Sequence, residues 1–292
     1  MYSGSLVAIV TPMRPDGSID FPAWTRLLDF HLENGTRGIV VGGTTGESAT
    51  LTDPELHELA KRASEHAKGR MRIVAGAGTS STAATVARAR FLSELPIDAL
   101  LVVTPAYVRP TQEGLFRHYS AVAEASRLPV ILYNVPTRTA VDMLPETVAR
   151  LARVPRIVGI KEAVPEAARV RALCESCGDA FVVLSGDDAS ARETLFAGAR
   201  GVISVTANVA PRAMADLVAA AVAGDRVAAE RIDGPLAVLH RDLFLEGNPI
   251  PVKWALGQMG LIGPGIRLPL TELSVGYHAR LAQGLRAAGV LK

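Results

Sequence analysis

Of the side chains able to do covalent chemistry on a carbonyl, the amine is the best suited, and this chain carries five lysines. Lys61 and Lys68 fall on the outer face of a helical segment and Lys292 is terminal, so all three should be solvated. Lys253 sits beside Trp254 in a later helical segment, where its stem can cover apolar surface. Only Lys161 directly follows a fully apolar run, Ile157-Val158-Gly159-Ile160. If that run is a strand of a closed parallel sheet, the amine points into the mouth of the barrel. Desolvation there disfavours the ammonium form and supplies the free amine that attacks a carbonyl carbon. The plainer reading is a lysine that snorkels and caps the barrel, and position alone does not separate the two.

The neighbours bear on that choice. Tyr133 ends an adjacent apolar run and can place a phenol near the Lys161 nitrogen, to move protons as a carbinolamine loses water. Gly42-Gly43-Thr44-Thr45-Gly46 offers backbone N–H groups and two hydroxyls suited to a small carboxylate. Arg138 can clamp a second carboxylate bidentately. Each has a bland alternative: a packed aromatic, a tight loop with capping threonines, a solvated arginine. Asp187-Asp188 resembles a metal pair, but without companion ligands helix N-capping is the favoured reading. Cys174 and Cys177 form a lone C-x-x-C, read as two half-buried thiols near a helix end; the six histidines are scattered, so no metal site is expected. The signals are individually weak and collectively coherent.

Short apolar, β-branched runs alternate with segments of helical period, the pattern of βα units on a parallel sheet. The expected strands are Leu6–Val10, Gly38–Val41, Met71–Ala75, Ala99–Val103, Pro129–Tyr133, Arg156–Ile160, Phe181–Ser185 and Gly201–Val205. Helix signals lie between them, including a Thr52-Asp53-Pro54-Glu55 capping box, Phe21–Asn34 stopped by Gly35, an opening at Leu144-Pro145-Glu146, and Pro211–Ala223 after the last strand. Eight such units predict an α/β fold, a (β/α)8 TIM barrel over residues 1–225. An open doubly wound sheet fits less well, because Gly76-Ala77-Gly78 lacks the third glycine of a dinucleotide turn. Arg226–Phe244, Ile250–Met259 and Thr271–Ala288 predict an appended C-terminal three-helix subdomain over 226–292.

A chain of 292 residues, 49% of them apolar, can bury one large core. Its formal net charge of +2 argues against nucleic acid or an anionic membrane as partner. No apolar run is long enough to span a bilayer, and the N-terminus lacks a basic segment followed by a signal-like stretch, so a cytoplasmic protein is expected.

Gly43-Thr44-Thr45-Gly46-Glu47-Ser48, Tyr133-Asn134-Val135-Pro136-Thr137-Arg138-Thr139, Gly159-Ile160-Lys161-Glu162 and Ser185-Gly186-Asp187-Asp188-Ala189 carry a recognisable pattern. With them the chain resembles, along its whole length, the dihydrodipicolinate synthases within the N-acetylneuraminate lyase family of class I pyruvate aldolases. The resemblance implies Lys161 as the Schiff-base lysine and Thr44, Tyr107 and Tyr133 as a proton relay, Tyr107 being donated across a subunit interface. It implies Thr45 for the pyruvate carboxylate, Arg138 for the carboxylate of L-aspartate 4-semialdehyde, and Gly186 and Ile203 as backbone lining. It further implies a lyase of lysine and diaminopimelate biosynthesis, a homotetramer built as a dimer of dimers, and no organic cofactor beyond the covalent imine.

One departure concerns regulation. Lysine-inhibited members carry polar or aromatic effector contacts where this chain has Asp53, Leu56, Ser80, Ala84 and Ala106, although Ser48 and Ala49 match. Weak or absent feedback by L-lysine is therefore expected. Two rival readings stand beside the synthase: a pyruvate-dependent lyase of a sugar acid, against which Arg138 speaks, and a barrel that has lost catalysis and serves as a binding or scaffold protein.

Overall fold

The computed structural model describes residues 2–292. Eight parallel strands close into a barrel in strict chain order, β8 pairing back onto β1. They are β1 (Gly4–Ala8), β2 (Gly38–Val41), β3 (Arg72–Gly76), β4 (Ala99–Val103), β5 (Val130–Asn134), β6 (Ile157–Glu162), β7 (Val182–Ser185) and β8 (Gly201–Ser204). Helices α1 (Phe21–Glu33), α2 (Asp53–Ala67), α3 (Thr82–Leu92), α4 (Gln112–Ala125), α5 (Pro136–Thr139) and α6 (Pro145–Leu151) separate the first six strands. The rest are α7 (Ala167–Cys177), α8 (Ala191–Phe196), α9 (Pro211–Val222), α10 (Arg226–Asp242), α11 (Ile250–Gln258) and α12 (Val275–Ala287). The TIM barrel with C-terminal helices is the expected architecture.

Two apolar layers hold it together. Inward-facing residues such as Leu6, Val40, Val74, Leu101, Ile131 and Leu184 fill the barrel, while Leu100, Val102, Leu132 and Val183 pack outward against the helices. Strands buried on both faces explain why the sequence shows continuous apolar runs without alternation. The capping box of α2 is present in full, the Thr52 hydroxyl accepting from Glu55 N and the Glu55 carboxylate from Thr52 N. Strand and helix ends shift by one or two residues from expectation, and α12 begins at Val275, not Thr271. Cys174 and Cys177 are half-buried free thiols at the end of α7, and burial pushes both thiol pKa values up. No described helix is long and apolar enough to cross a membrane.

Candidate active site

At the carboxyl end of the barrel lies a cavity of about 220 Å³ lined by Thr44, Thr45, Tyr133, Arg138, Lys161 and Gly186, among others. The direction of Lys161 is set by an irregularity. Val130 pairs with Ile157, but Ile131 pairs with Gly159, so β6 carries one extra residue at this point. That bulge shifts the phase of the pleat: Ile160 packs outward, and Lys161 turns inward, level with Tyr133 in the register. Glycine is required at the bulge, since a Cβ on Gly159 would lie 2.5 Å from the Val182 carbonyl oxygen. Lys161 is therefore the penultimate residue of its strand, not the residue after it.

Its surroundings are an aromatic ring and a glycine. Lys161 is 5% exposed, and its Nζ lies 4.4 Å from the centroid of the Tyr133 ring. Among the described residues no carboxylate pairs with it. Gly186 follows β7 and crosses the lysine stem so closely that a Cβ there would meet Lys161 Cγ and Cε at 3.0 Å. Thr45 is buried, and its hydroxyl accepts from Asn248 Nδ2 at 2.9 Å, which leaves its proton free for an acceptor in the cavity. Arg138 stands exposed on the single turn of α5, with no acidic partner among the described residues.

The remaining expected residues are placed otherwise. Ile203 lies buried in the barrel interior and does not line the cavity, where Val205 does. Tyr107, in the loop after β4, is 92% exposed and held at a φ of 73°, and within one chain it does not reach the cavity. The Asp187 carboxylate accepts from Ser190 N at 2.9 Å, close to the capping expected of it. Asp188 instead bridges to the end of β8, accepting from the backbone N–H groups of Val205 and Thr206.

Lys253, whose stem was expected to cover apolar surface, is buried through to its head, where its ammonium is paired with the equally buried Glu47. Glu47 closes the Gly42–Gly46 loop at a φ of 59°, and its other oxygen accepts from Arg267 N at 3.2 Å. Asn248, Lys253 and Arg267, all from the C-terminal third, thus brace the loop that presents Thr44 and Thr45. Phe244, Thr137 and Asn248 also line the cavity and were missed; Thr137 and Asn248 are polar, and Thr137 stood beside Arg138 in a recognised motif. A second cavity, of about 270 Å³, lies among the C-terminal helices beside Trp254 and Gln258. The amine it touches, Lys253, is already engaged in an ion pair, whereas the barrel-mouth cavity holds Lys161, which has none among the described residues.

Residues 1–288 match the model of the dihydrodipicolinate synthetase family. The chain belongs to that family. It is 54% identical to the 4-hydroxy-tetrahydrodipicolinate synthases of Alkalilimnicola ehrlichii and of Methylococcus capsulatus, over 291 residues and the full length of each chain. The family likeness extends to the backbone. A chloride-inhibited dihydrodipicolinate synthase from Acinetobacter baumannii, crystallised with pyruvate, superposes with a TM-score of 0.98 at 48% identity and full coverage of both chains.

Proposed function

We infer that this chain condenses pyruvate with L-aspartate 4-semialdehyde, through an imine on Lys161, to give 4-hydroxy-tetrahydrodipicolinate on the route to lysine and diaminopimelate. The observation that carries the reading is a buried amine without a counter-charge, stacked on a phenol ring, in a cavity bordered by an unpaired arginine. A nitrogen locked to a carboxylate is engaged; the Lys161 nitrogen, over an aromatic ring at the edge of the cavity, is left within reach of a carbonyl carbon.

In this scheme the Lys161 amine adds to the keto carbon of pyruvate, whose carboxylate is held by the Thr45 hydroxyl and the N–H groups of its loop. Tyr133, helped by Thr44, supplies the proton with which the carbinolamine oxygen leaves as water. The cationic imine acidifies the methyl group, and loss of a proton gives an enamine. The enamine carbon bonds to the aldehyde carbon of the semialdehyde, whose carboxylate pairs with Arg138. Attack of the product amine on the imine carbon then releases Lys161 and closes the ring. A guanidinium free to take a carboxylate favours this substrate over a sugar acid, whose polyol would leave that charge unpaired.

The exposed Tyr107, in a backbone conformation costly for an aromatic residue, supports a relay completed between two copies in a cytoplasmic homotetramer. Borohydride added with pyruvate should leave a reduced pyruvyl mass on Lys161. A coupled assay with both substrates should show turnover in the wild type and none in Lys161→Ala. A wild type that turns over without being trapped at Lys161 sinks the scheme.

A further inference from the structure

Behind the two reacting side chains lies a second polar group that does not line the barrel-mouth cavity. In the β5–β6 pairing Tyr133 faces Lys161, and the next pair along is Asn134 with Glu162. Because side chains alternate, Asn134 and Glu162 project outward, into the layer between barrel and helices, where both are buried. Asn134 Nδ2 donates to both Glu162 oxygens, at 3.1 and 3.2 Å, and to Asp142 Oδ1 at 2.7 Å; Asn134 Oδ1 accepts from Met143 N at 3.0 Å. Arg169 of α7 donates to Glu162 Oε2 at 3.3 Å, to Asp142 Oδ1 at 2.6 Å and to the Met143 carbonyl at 2.7 Å. Val164 N closes the set on Glu162 Oε1 at 2.9 Å.

Every hydrogen-bond partner of the Glu162 carboxyl is a donor. Burial pushes its pKa up and the nearby Asp142 carboxylate adds to that, while the Val164 N–H, Arg169 and Asn134 oppose it. A buried carboxylate joined to this many donors is costly to assemble and strongly ordering once assembled. It ties together the tips of β5 and β6, the loop before α6, and α7. The apolar side chains that fill this layer elsewhere would give cohesion without fixing a distance.

Resting on the Schiff-base reading above, we propose that Glu162, Asn134, Asp142 and Arg169 form a positioning cluster that sets the separation of Lys161 and Tyr133 across the β5–β6 seam. Loosening it should misplace the amine against its proton donor, and a displacement of about 1 Å there is enough to cost on the order of a hundredfold in rate. None of the four touches substrate, so pyruvate binding should change little.

The test compares wild type with Glu162→Ala, Glu162→Gln and Asp142→Asn, by steady-state kinetics and by the rate of borohydride trapping with pyruvate. Glu162→Ala should lose about tenfold to a hundredfold in kcat and trapping rate, with the pyruvate KM within about threefold of wild type. Glu162→Gln, which keeps the shape, should recover part of that loss. Asp142→Asn, at the half-exposed edge of the cluster, should lose less than Glu162→Ala in the same pattern, and carries the test if the Glu162 variants fail to fold. Variants that fold, yet trap and turn over like wild type, overturn the positioning role and leave the Schiff base standing; so does a loss confined to KM. A wild type that is not trapped overturns the Schiff-base reading itself.

Discussion

Lys161 and Lys253 are equally buried, each 5% exposed, yet their ammonium groups meet opposite surroundings. Lys253 finds the Glu47 carboxylate, in a pair whose side chains are both almost wholly withdrawn from water. Desolvation lowers its pKa, and the attraction of Glu47 opposes that. Lys161 finds a phenol ring, a glycine and open cavity. The two lysines therefore differ not in burial but in counter-charge: one ties the C-terminal helices to the Thr44–Thr45 loop, and the other faces the cavity with no carboxylate partner among the described residues.

The comparison breaks most visibly on substitution. Lys161→Ala should lower kcat/KM by at least about a thousandfold and abolish borohydride trapping, since among the described residues no other amine lines the cavity. Its melting temperature should stay within about 2 °C of wild type, because no partner is stranded. Lys253→Ala should do the reverse, leaving Glu47 buried and unpaired at a cost of about 3–5 kcal/mol, or roughly 10 °C in melting temperature. Trapping at Lys161 should persist in whatever fraction stays folded. Removing both charges, as in Lys253→Met with Glu47→Gln, should cost less than the sum of the single changes. A strictly additive double variant, read by thermal melts, would mean the two charges are not coupled and the contrast with Lys161 is misdrawn.

How much of this was legible in the sequence follows from the range of each interaction. All eight strands could be read, because a strand buried on both faces writes its own apolar run. Their ends could not, since Ile9 and Val10 are as buried in a loop as their neighbours are in β1. Lys161 was recognisable as a strand-end amine, but its inward direction depends on a one-residue bulge that an unbroken apolar run conceals; Gly159 is its only trace. Lys253 was misread because its partner stands 206 residues away in sequence, and no local pattern announces a pairing at that distance. Asn248 was given no role for the same reason: its contact, Thr45, is 203 residues away in sequence. Tyr107 is a limit of another kind, since in the single chain it stands exposed and away from the cavity, and the relay proposed for it needs a second copy.

His31 extends the contrast to a buried base that has neither a substrate nor a counter-ion. Its Nδ1 meets the Thr36 hydroxyl at 3.0 Å and its Nε2 is buried without a partner. Burial pushes its pKa down from 6.5 to about 3, so the unfolded chain takes up a proton that the native protein refuses throughout that window. The contribution to stability is complete above pH 6.5 and is lost as pH falls toward 3. At pH 5 the loss is about 2 kcal/mol. Thermal melts between pH 7.5 and 5 should show a smaller acid shift in His31→Gln than in wild type. Parallel curves would mean that His31 becomes protonated without unfolding.

The smallest effect should come from the contact that links the two lysine neighbourhoods. Asn248 Nδ2 donates to the Thr45 hydroxyl, so that hydroxyl has one acceptor site filled and its proton directed elsewhere. Asn248→Ala removes one neutral hydrogen bond, worth about 1 kcal/mol, and frees the Thr45 rotor without touching Lys161, Tyr133 or Glu47. If Thr45 holds the pyruvate carboxylate, the pyruvate KM should rise by about fivefold to tenfold while kcat changes by less than about twofold. A fall in kcat at constant KM would place Asn248 in the bond-making step and would make the brace from the C-terminal helices part of the chemistry, not only of the loop that binds.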